Sequence, residues 1–114
     1  MPDCIFCKIV SGGLPSTQVY SDDKIIVFKD IHPSAPVHLL AIPREHIASS
    51  AAGLTAENAG TVGHIFAVIA ENHKSWSLEN GFRVITNSGT DGKQSVPHLH
   101  FHILGGRELS MGMG

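Results

Sequence analysis

The stretch from residue 97 to residue 104, PHLHFHIL, alternates histidine with large apolar side chains. This alternation has the period of a β-strand and not that of an α-helix. It predicts a strand that turns three histidines to one face and Leu99, Phe101 and Ile103 towards a core. Imidazole titrates near neutrality, so the histidine face could supply a base, a nucleophile or metal ligands. The three histidines are His98, His100 and His102.

The composition excludes several classes of protein. With 114 residues the chain is expected to form one domain, spanning 1–114. Its formal net charge of −2 gives no electrostatic reason to bind nucleic acid or an anionic membrane. We find neither an apolar run of membrane-spanning length nor a secretory signal, and the two cysteines are too few for a disulfide scaffold, so a cytoplasmic protein is expected.

The rest of the chain predicts an α+β fold with an antiparallel sheet, because strands and one long helix do not alternate regularly. A short helical turn is expected near residues 4–10, and a longer helix opens near residues 54–57 with Thr55 as its N-cap. Further strands are predicted at residues 18–20, 24–29, 37–43 and 81–87. A polar loop with two glycines, residues 88–95, leads into the histidine strand and could hold phosphate oxygens or be a simple turn.

A neutral imidazole such as that of His100 can attack phosphorus directly and form a covalent intermediate. Its histidine neighbours can then donate hydrogen bonds to the phosphate oxygens in the transition state. The chain has no P-loop and no Ser-His-Asp pattern to compete with this chemistry.

The segment from Asp91 to Arg107, DGKQSVPHLHFHILGGR, resembles the signature of the histidine triad superfamily. The Gln-Ser pair before the histidines and the Gly-Gly-Arg after them are similar to the Hint branch, the histidine triad nucleotide-binding proteins. The likeness continues through residues 4–9, 28–31 and 35–38 and so covers essentially the whole chain. It implies a five-stranded antiparallel sheet with one long and one short helix, and a homodimer with the long helix and fourth strand near its two-fold axis.

The resemblance also implies a role for each site residue. His100 would be the nucleophile, His102 would donate to an α-phosphate oxygen, and Ser95 would help to protonate the leaving group. His38 would line the same site, although a lone histidine in an apolar strand is often only a core residue. Nucleotide contacts are implied for Ile5, Phe6, Ile9, Phe28 and Ile31 around the purine, Asp30 on the ribose hydroxyls, and Asn87 and Gln94 on phosphate and ribose.

Cys4 and Cys7 form a Cys-x-x-Cys pair that could be a redox couple, two small buried residues or half of a metal site. A thioredoxin-like pair would follow a strand and open a long helix, whereas this pair lies in a short turn. Tetrahedral zinc needs two further ligands, for which His46 and His98 are candidates. Bacterial histidine triad proteins resemble this arrangement, which implies a structural zinc ion and a structural, not catalytic, His98.

The reaction implied is hydrolysis of purine nucleoside 5′-phosphoramidates, such as an AMP–lysine adduct, to AMP and an amine. Three alternatives stay open from the sequence. One is a nucleotide-binding regulatory module with little turnover, one is a diadenosine polyphosphate hydrolase, and one is a small protein that simply holds metal. The family's usual Trp-Pro-Pro-Gly-like ending is absent from residues 108–114, which bears on the preference for leaving groups.

Overall fold

The chain folds around one antiparallel sheet in a computed structural model that describes residues 4–112. The strands run in the order β1-β2-β3-β5-β4, and each neighbouring pair is antiparallel. A short helix, α1, and a longer helix, α2, complete the fold, which confirms the predicted α+β class. The bounds are α1 Ile5–Val10, β1 Gln18–Ser21, β2 Ile25–Lys29, β3 Val37–Pro43, α2 Ala59–Asn72, β4 Phe82–Ile85 and β5 Phe101–Gly105, with a 3-10 turn at Ala51–Gly53.

Both faces of the sheet are covered, which explains why β2 and β3 are nearly continuous apolar runs. In β2, Ile25 and Val27 pack into the core under α2, whereas Ile26 and Phe28 pack into a second, smaller core. That second core includes Phe6 of α1. The two faces of the sheet therefore carry different helices, and the histidines lie on the α1 side.

The strand at the histidines is shorter than predicted, because β5 begins only at Phe101. Before it, the backbone N–H of Leu99 bonds the Ala48 carbonyl and the N–H of His98 bonds the Val96 carbonyl, so neither joins the ladder of β3. The alternation of faces nevertheless persists through this segment. Leu99, Phe101 and Ile103 are buried in the core under α2, as the pattern predicts.

The start of α2 differs from the prediction as well. The helix begins at Ala59, and its N-cap is Asn58 and not Thr55. Thr55 and Asn58 instead close a separate turn: the Thr55 N–H donates to Asn58 Oδ1 at 2.8 Å, and the Asn58 N–H donates to Thr55 Oγ1 at 3.4 Å. The prediction of Thr55 as the N-cap was wrong because its hydroxyl serves this preceding turn. Met113 and Gly114, part of the ending compared above, lie outside the described residues.

Candidate active site and metal centre

The three histidines differ in their burial and in their hydrogen-bond partners. His98 is completely buried and His100 is 3% exposed, whereas His102 is half-buried on β5. Each ring hydrogen-bonds a different kind of partner, so the partner decides which ring nitrogen carries the proton. The alternating pattern alone presents these residues as equivalent, and the fold gives each of them different surroundings.

His98 lies with both cysteines and His46 in one cluster at the end of β3. The ligand atoms of Cys4, Cys7, His46 and His98 all lie within 4.8 Å of one another. Nδ1 of His98 is 3.2 Å from Cys4 Sγ and 3.5 Å from Cys7 Sγ, and Nδ1 of His46 is 3.6 Å from Cys7 Sγ. Sulfur and nitrogen ligands of tetrahedral zinc are separated by about 3.6 Å, given the usual zinc–ligand bond lengths. These four side chains therefore fit a tetrahedral zinc ion.

The outer contact of His98 supports the same conclusion. Its Nε2 lies 2.9 Å from the Pro43 carbonyl oxygen. A carbonyl can only accept, so Nε2 carries the proton and Nδ1 presents a lone pair to the two sulfurs. Metal-binding histidines are typically oriented in this way by a backbone carbonyl.

His100 has the opposite tautomer, although only one residue separates it from His98. Its Nδ1 lies 2.7 Å from the carbonyl oxygen of His98 and must donate to it. Burial lowers the pKa of His100, so the ring is neutral at pH 7 and Nε2 holds a free lone pair. A neutral imidazole with a lone pair on Nε2 is the form that can act as a nucleophile.

His102 is set by a chain of hydrogen bonds from outside the histidine run. The Ser34 N–H donates to Nδ1 of His38 at 2.9 Å, so the proton of the neutral His38 ring lies on Nε2. That Nε2 is 2.9 Å from Nδ1 of His102 and 3.3 Å from Oδ2 of Asp30. His102 therefore accepts on Nδ1 and carries its own proton on Nε2. Burial, with the nearby His100 and His38 rings, lowers the pKa of His102 to about 4.

The same chain argues against a second metal site. Asp30, His38 and His102 are close enough to hold a metal ion. However, His38 already accepts the Ser34 N–H on Nδ1, so binding a metal through Nε2 would require either an imidazolate or the loss of this hydrogen bond. The three side chains are better described as a hydrogen-bonded chain that ends at His102.

Of the apolar residues expected around a purine, Phe6 lies against His100, and Phe28 and Ile9 share its small core. The Phe6 ring stands edge-on to His100 at a centroid distance of 5.0 Å and edge-on to Phe28 at 5.9 Å. Phe6 and Phe28 are themselves buried, and Ile9 is half-buried, whereas Ile5 is 49% exposed and Ile31 is 83% exposed. The exposed side chains of Ile5 and Ile31 are therefore free to contact a ligand, whereas Phe6 and Phe28 are largely covered by the protein.

The polar residues of the loop before β5 have different surroundings. Ser95 is exposed and Asn87 is half-buried, so both are accessible to a ligand. The Gln94 amide, by contrast, is already bonded to the chain: Oε1 accepts from the Gly89 N–H, and Nε2 donates to the carbonyls of Ser49 and Val96. Pro43 and Ser34 were missed by the sequence analysis, because they act through backbone groups that carry no residue-type signal.

Comparisons with known proteins identify the family of this chain. A family model described as "Scavenger mRNA decapping enzyme C-term binding" matches residues 3–114. A HIT family hydrolase from Clostridium thermocellum superposes with a TM-score of 0.94 at 39% identity, covering 99% of this chain and 98% of that one. The chain belongs to the histidine triad family.

Relatives within the histidine triad family match over nearly the full length. A histidine triad protein from Clostridium difficile has a TM-score of 0.92 at 45% identity, covering 96% of both chains. Protein HitA of Neisseria gonorrhoeae is 42% identical over 92% of this chain and 97% of its own length. The 14 kDa zinc-binding protein of Zea mays is 40% identical over 93% of this chain and 84% of its own. Within the described residues, no helix has the length and apolar character needed to cross a membrane.

Proposed function

We propose that this histidine triad protein is a nucleotide-binding hydrolase that cleaves purine nucleoside 5′-phosphoramidates. The observation that carries the proposal is the pair of complementary tautomers on neighbouring rings. His100 presents a lone pair on Nε2, and His102, two residues further on, presents an N–H on its own Nε2. A nucleophile beside a hydrogen-bond donor is what attack on a phosphoryl group requires.

The reaction proceeds in two steps. Nε2 of His100 attacks the α-phosphorus, the P–N bond breaks, and the amine leaves with a proton that the Ser95 hydroxyl passes on from solvent water. A water molecule then attacks the phosphorus of the nucleotidyl-His100 intermediate and gives up a proton to solvent, which releases AMP and returns the lone pair to Nε2. His102 donates to an α-phosphate oxygen in both steps, and His38 holds His102 in the donating tautomer.

We expect the nucleotide to bind in a groove beside His100. Its purine would contact apolar side chains of α1, of β2 and of the loop after β2, namely Ile5, Phe6, Ile9, Phe28 and Ile31. Asp30 accepts from the ribose hydroxyls, a pairing suited to a carboxylate at the end of β2. Asn87, at the edge of the site, donates to phosphate or ribose.

Zinc is proposed as a structural ion held by Cys4, Cys7, His46 and His98. The fit of the ligand distances supports it, as does similarity to a maize protein named for zinc binding. When bound, zinc supplies a cross-link and no chemistry at phosphorus. The four residues would join α1, which carries Phe6, to the segments before β5 and after β3.

A homodimer is proposed as well. Phe66 of α2 is 46% exposed and Phe82 of β4 is 40% exposed, and β4 is an edge strand. Large apolar side chains left in water on these two elements favour their burial by a second copy. Sedimentation analysis should give twice the mass of one chain, and a monomer at micromolar concentration would contradict the proposal.

The proposed activity is tested with an adenosine 5′-phosphoramidate of an alkylamine. His100→Ala should reduce amine release by about a thousandfold or more, since it removes the nucleophile. AMP binding, measured by calorimetry, should persist because the ring of His100 contributes only part of the groove. His73→Ala, at the far end of α2, is the matched control and should leave both quantities unchanged.

Other outcomes would favour the alternatives. Unchanged turnover in His100→Ala would refute the nucleophile assignment. AMP binding with no amine release by the unaltered protein would indicate a binding module. Faster cleavage of diadenosine polyphosphates than of phosphoramidates would place the activity in the other class of hydrolase.

A further inference from the structure

Two segments far apart in sequence are joined beside the site. Residues 48–50 follow β3, and residues 88–99 lead into β5. The Leu99 N–H donates to the Ala48 carbonyl at 3.0 Å, and the hydroxyls of Ser50 and Ser88 bond each other at 2.8 Å. The third connection is Gln94, whose Nε2 donates to the Ser49 carbonyl at 2.5 Å.

Gln94 is the only one of these residues that also closes its own loop. Its Oε1 accepts from the Gly89 N–H at 3.1 Å, while its backbone N–H donates back to the Gly89 carbonyl at 3.1 Å. Its second Nε2 hydrogen reaches the Val96 carbonyl at 2.9 Å. Both amide hydrogens are therefore used, and three backbone segments meet at one side chain.

The loop that Gln94 closes is tight. A Cβ at Gly92 would lie 2.6 Å from the Ser88 carbonyl oxygen, so a larger residue would force the backbone apart. Lys93 has a φ of 56°, a left-handed conformation that costs an L-residue about 1 kcal/mol. Such a loop needs something to hold it closed, and the Gln94 amide bonds both of its sides.

Ser95 lies between Gln94 and Val96, and the Val96 carbonyl accepts from the Gln94 side chain. The side chain of Ser95 is exposed, so its position depends on this backbone. We propose that Gln94 is a positioning residue that holds the Ser95 hydroxyl towards the leaving group and does not itself bind phosphate. This inference rests on the proposed phosphoramidate hydrolysis and revises the role that the family resemblance implies for Gln94.

The test compares two leaving groups in the Gln94→Leu variant, which keeps the approximate volume and removes all three side-chain hydrogen bonds. An alkylamine leaves poorly without a proton, whereas an electron-poor arylamine needs little help. For the alkylamine substrate kcat/KM should fall about tenfold or more, because help from a proton donor is lost. For the arylamine substrate the fall should be less than about threefold, and the affinity for AMP should change as little.

A direct phosphate ligand would behave differently. If both substrates lost the same factor and AMP binding weakened in parallel, Gln94 would be contacting phosphate and the positioning role would be overturned. Ser50→Ala is the matched control, because it breaks a bridge between the same two segments without touching the Ser95 backbone. An equal selective loss in Ser50→Ala would also overturn the assignment to Gln94.

Hydrogen exchange at the Gly89 amide tests the hydrogen bonds of the Gln94 side chain without any substrate. This N–H donates to the Gln94 side chain, so its exchange should be at least about tenfold faster in Gln94→Leu. Unchanged exchange would overturn the proposal. If the unaltered protein releases no amine, the proposed function fails, and the positioning role of Gln94 fails with it. Faster exchange in Gln94→Leu would still show that the Gln94 side chain holds the loop closed.

Discussion

His98 and His100 are separated by one residue and lie on the same side of the sheet, yet their rings donate to backbone carbonyls through different nitrogens. His98 donates through Nε2 to a carbonyl on β3 and presents Nδ1 to two sulfurs. His100 donates through Nδ1 to the His98 carbonyl and keeps Nε2 free. One backbone carbonyl for each ring gives His98 the tautomer that a metal ligand needs and His100 the tautomer that a nucleophile needs. Residue type therefore defines what a site could do, and backbone partners decide what each member does.

The largest effect is expected at the proposed zinc site. Cys4→Ser removes a proposed zinc ligand that is 6% exposed and whose side chain also caps α1. We expect loss of stoichiometric zinc and a fall in Tm of about 10 °C or more, because binding free energy at a structural zinc site is folding free energy. Metal analysis and calorimetry measure the two effects.

The control for this variant is Ser11→Ala, at the other end of α1, which should keep both the zinc and the Tm. A Cys4→Ser protein that retained full zinc and an unchanged Tm would show that the cysteine pair is not part of a metal centre.

A smaller effect is expected at the proposed active site, where His38→Ala tests the role of His38 in orienting His102. Loss of the His38 ring leaves His102 without the partner that fixes its tautomer. Partners that orient metal-bound histidines contribute about tenfold to a hundredfold, and we expect His38 to act on His102 to a similar extent, so kcat should fall by about that factor while zinc content is unchanged. Activity unaffected by His38→Ala would mean that the hydrogen-bonded chain has no role in turnover.

The smallest effect is expected away from the proposed zinc site and active site, at the hydrogen-bonded pair Asp22–His64. Burial of Asp22 opposes its ionisation, but hydrogen bonds from His64, Tyr20 and the backbone of Ile25 and Lys24 outweigh it and lower the Asp22 pKa. A carboxylate with a lowered pKa stabilises the fold above its unfolded-state value near 4 and loses this contribution as the pH falls below it. Asp22→Asn should therefore cost about 1–3 kcal/mol at pH 7.

The same variant should reduce the steepness with which stability falls between about pH 4 and pH 2. Urea unfolding at a series of pH values measures it, with Asp91→Asn on the exposed loop as the control. An identical pH profile in Asp22→Asn and the unaltered protein would contradict the role of this pair.

Much of the fold could be predicted because it depends on local patterns. Alternation placed Leu99, Phe101 and Ile103 in the core, and the apolar runs located β2 and β3. The start of β5 could not be predicted, since it depends on where the Leu99 N–H finds its partner, the distant Ala48 carbonyl.

The candidate site divides in the same way. Family resemblance pointed to Cys4, Cys7, His46 and His98, and the structure brings their side chains together. Neither pattern nor resemblance indicated the tautomers, because the Pro43 carbonyl and the Ser34 N–H are backbone groups placed by the fold. The hydrogen bonds of the Gln94 side-chain amide could not be predicted for the same reason. Two of its three backbone partners are far away in sequence or across a loop.

The opposite tautomers of His98 and His100 can be measured directly by nitrogen-15 NMR of the histidine rings at neutral pH. We expect His98 to carry its proton on Nε2, and His100 to be neutral with its proton on Nδ1 and a lone pair on Nε2. A His100 ring that is protonated on Nε2, or positively charged at pH 7, would contradict the account, because no lone pair would then be available to attack phosphorus.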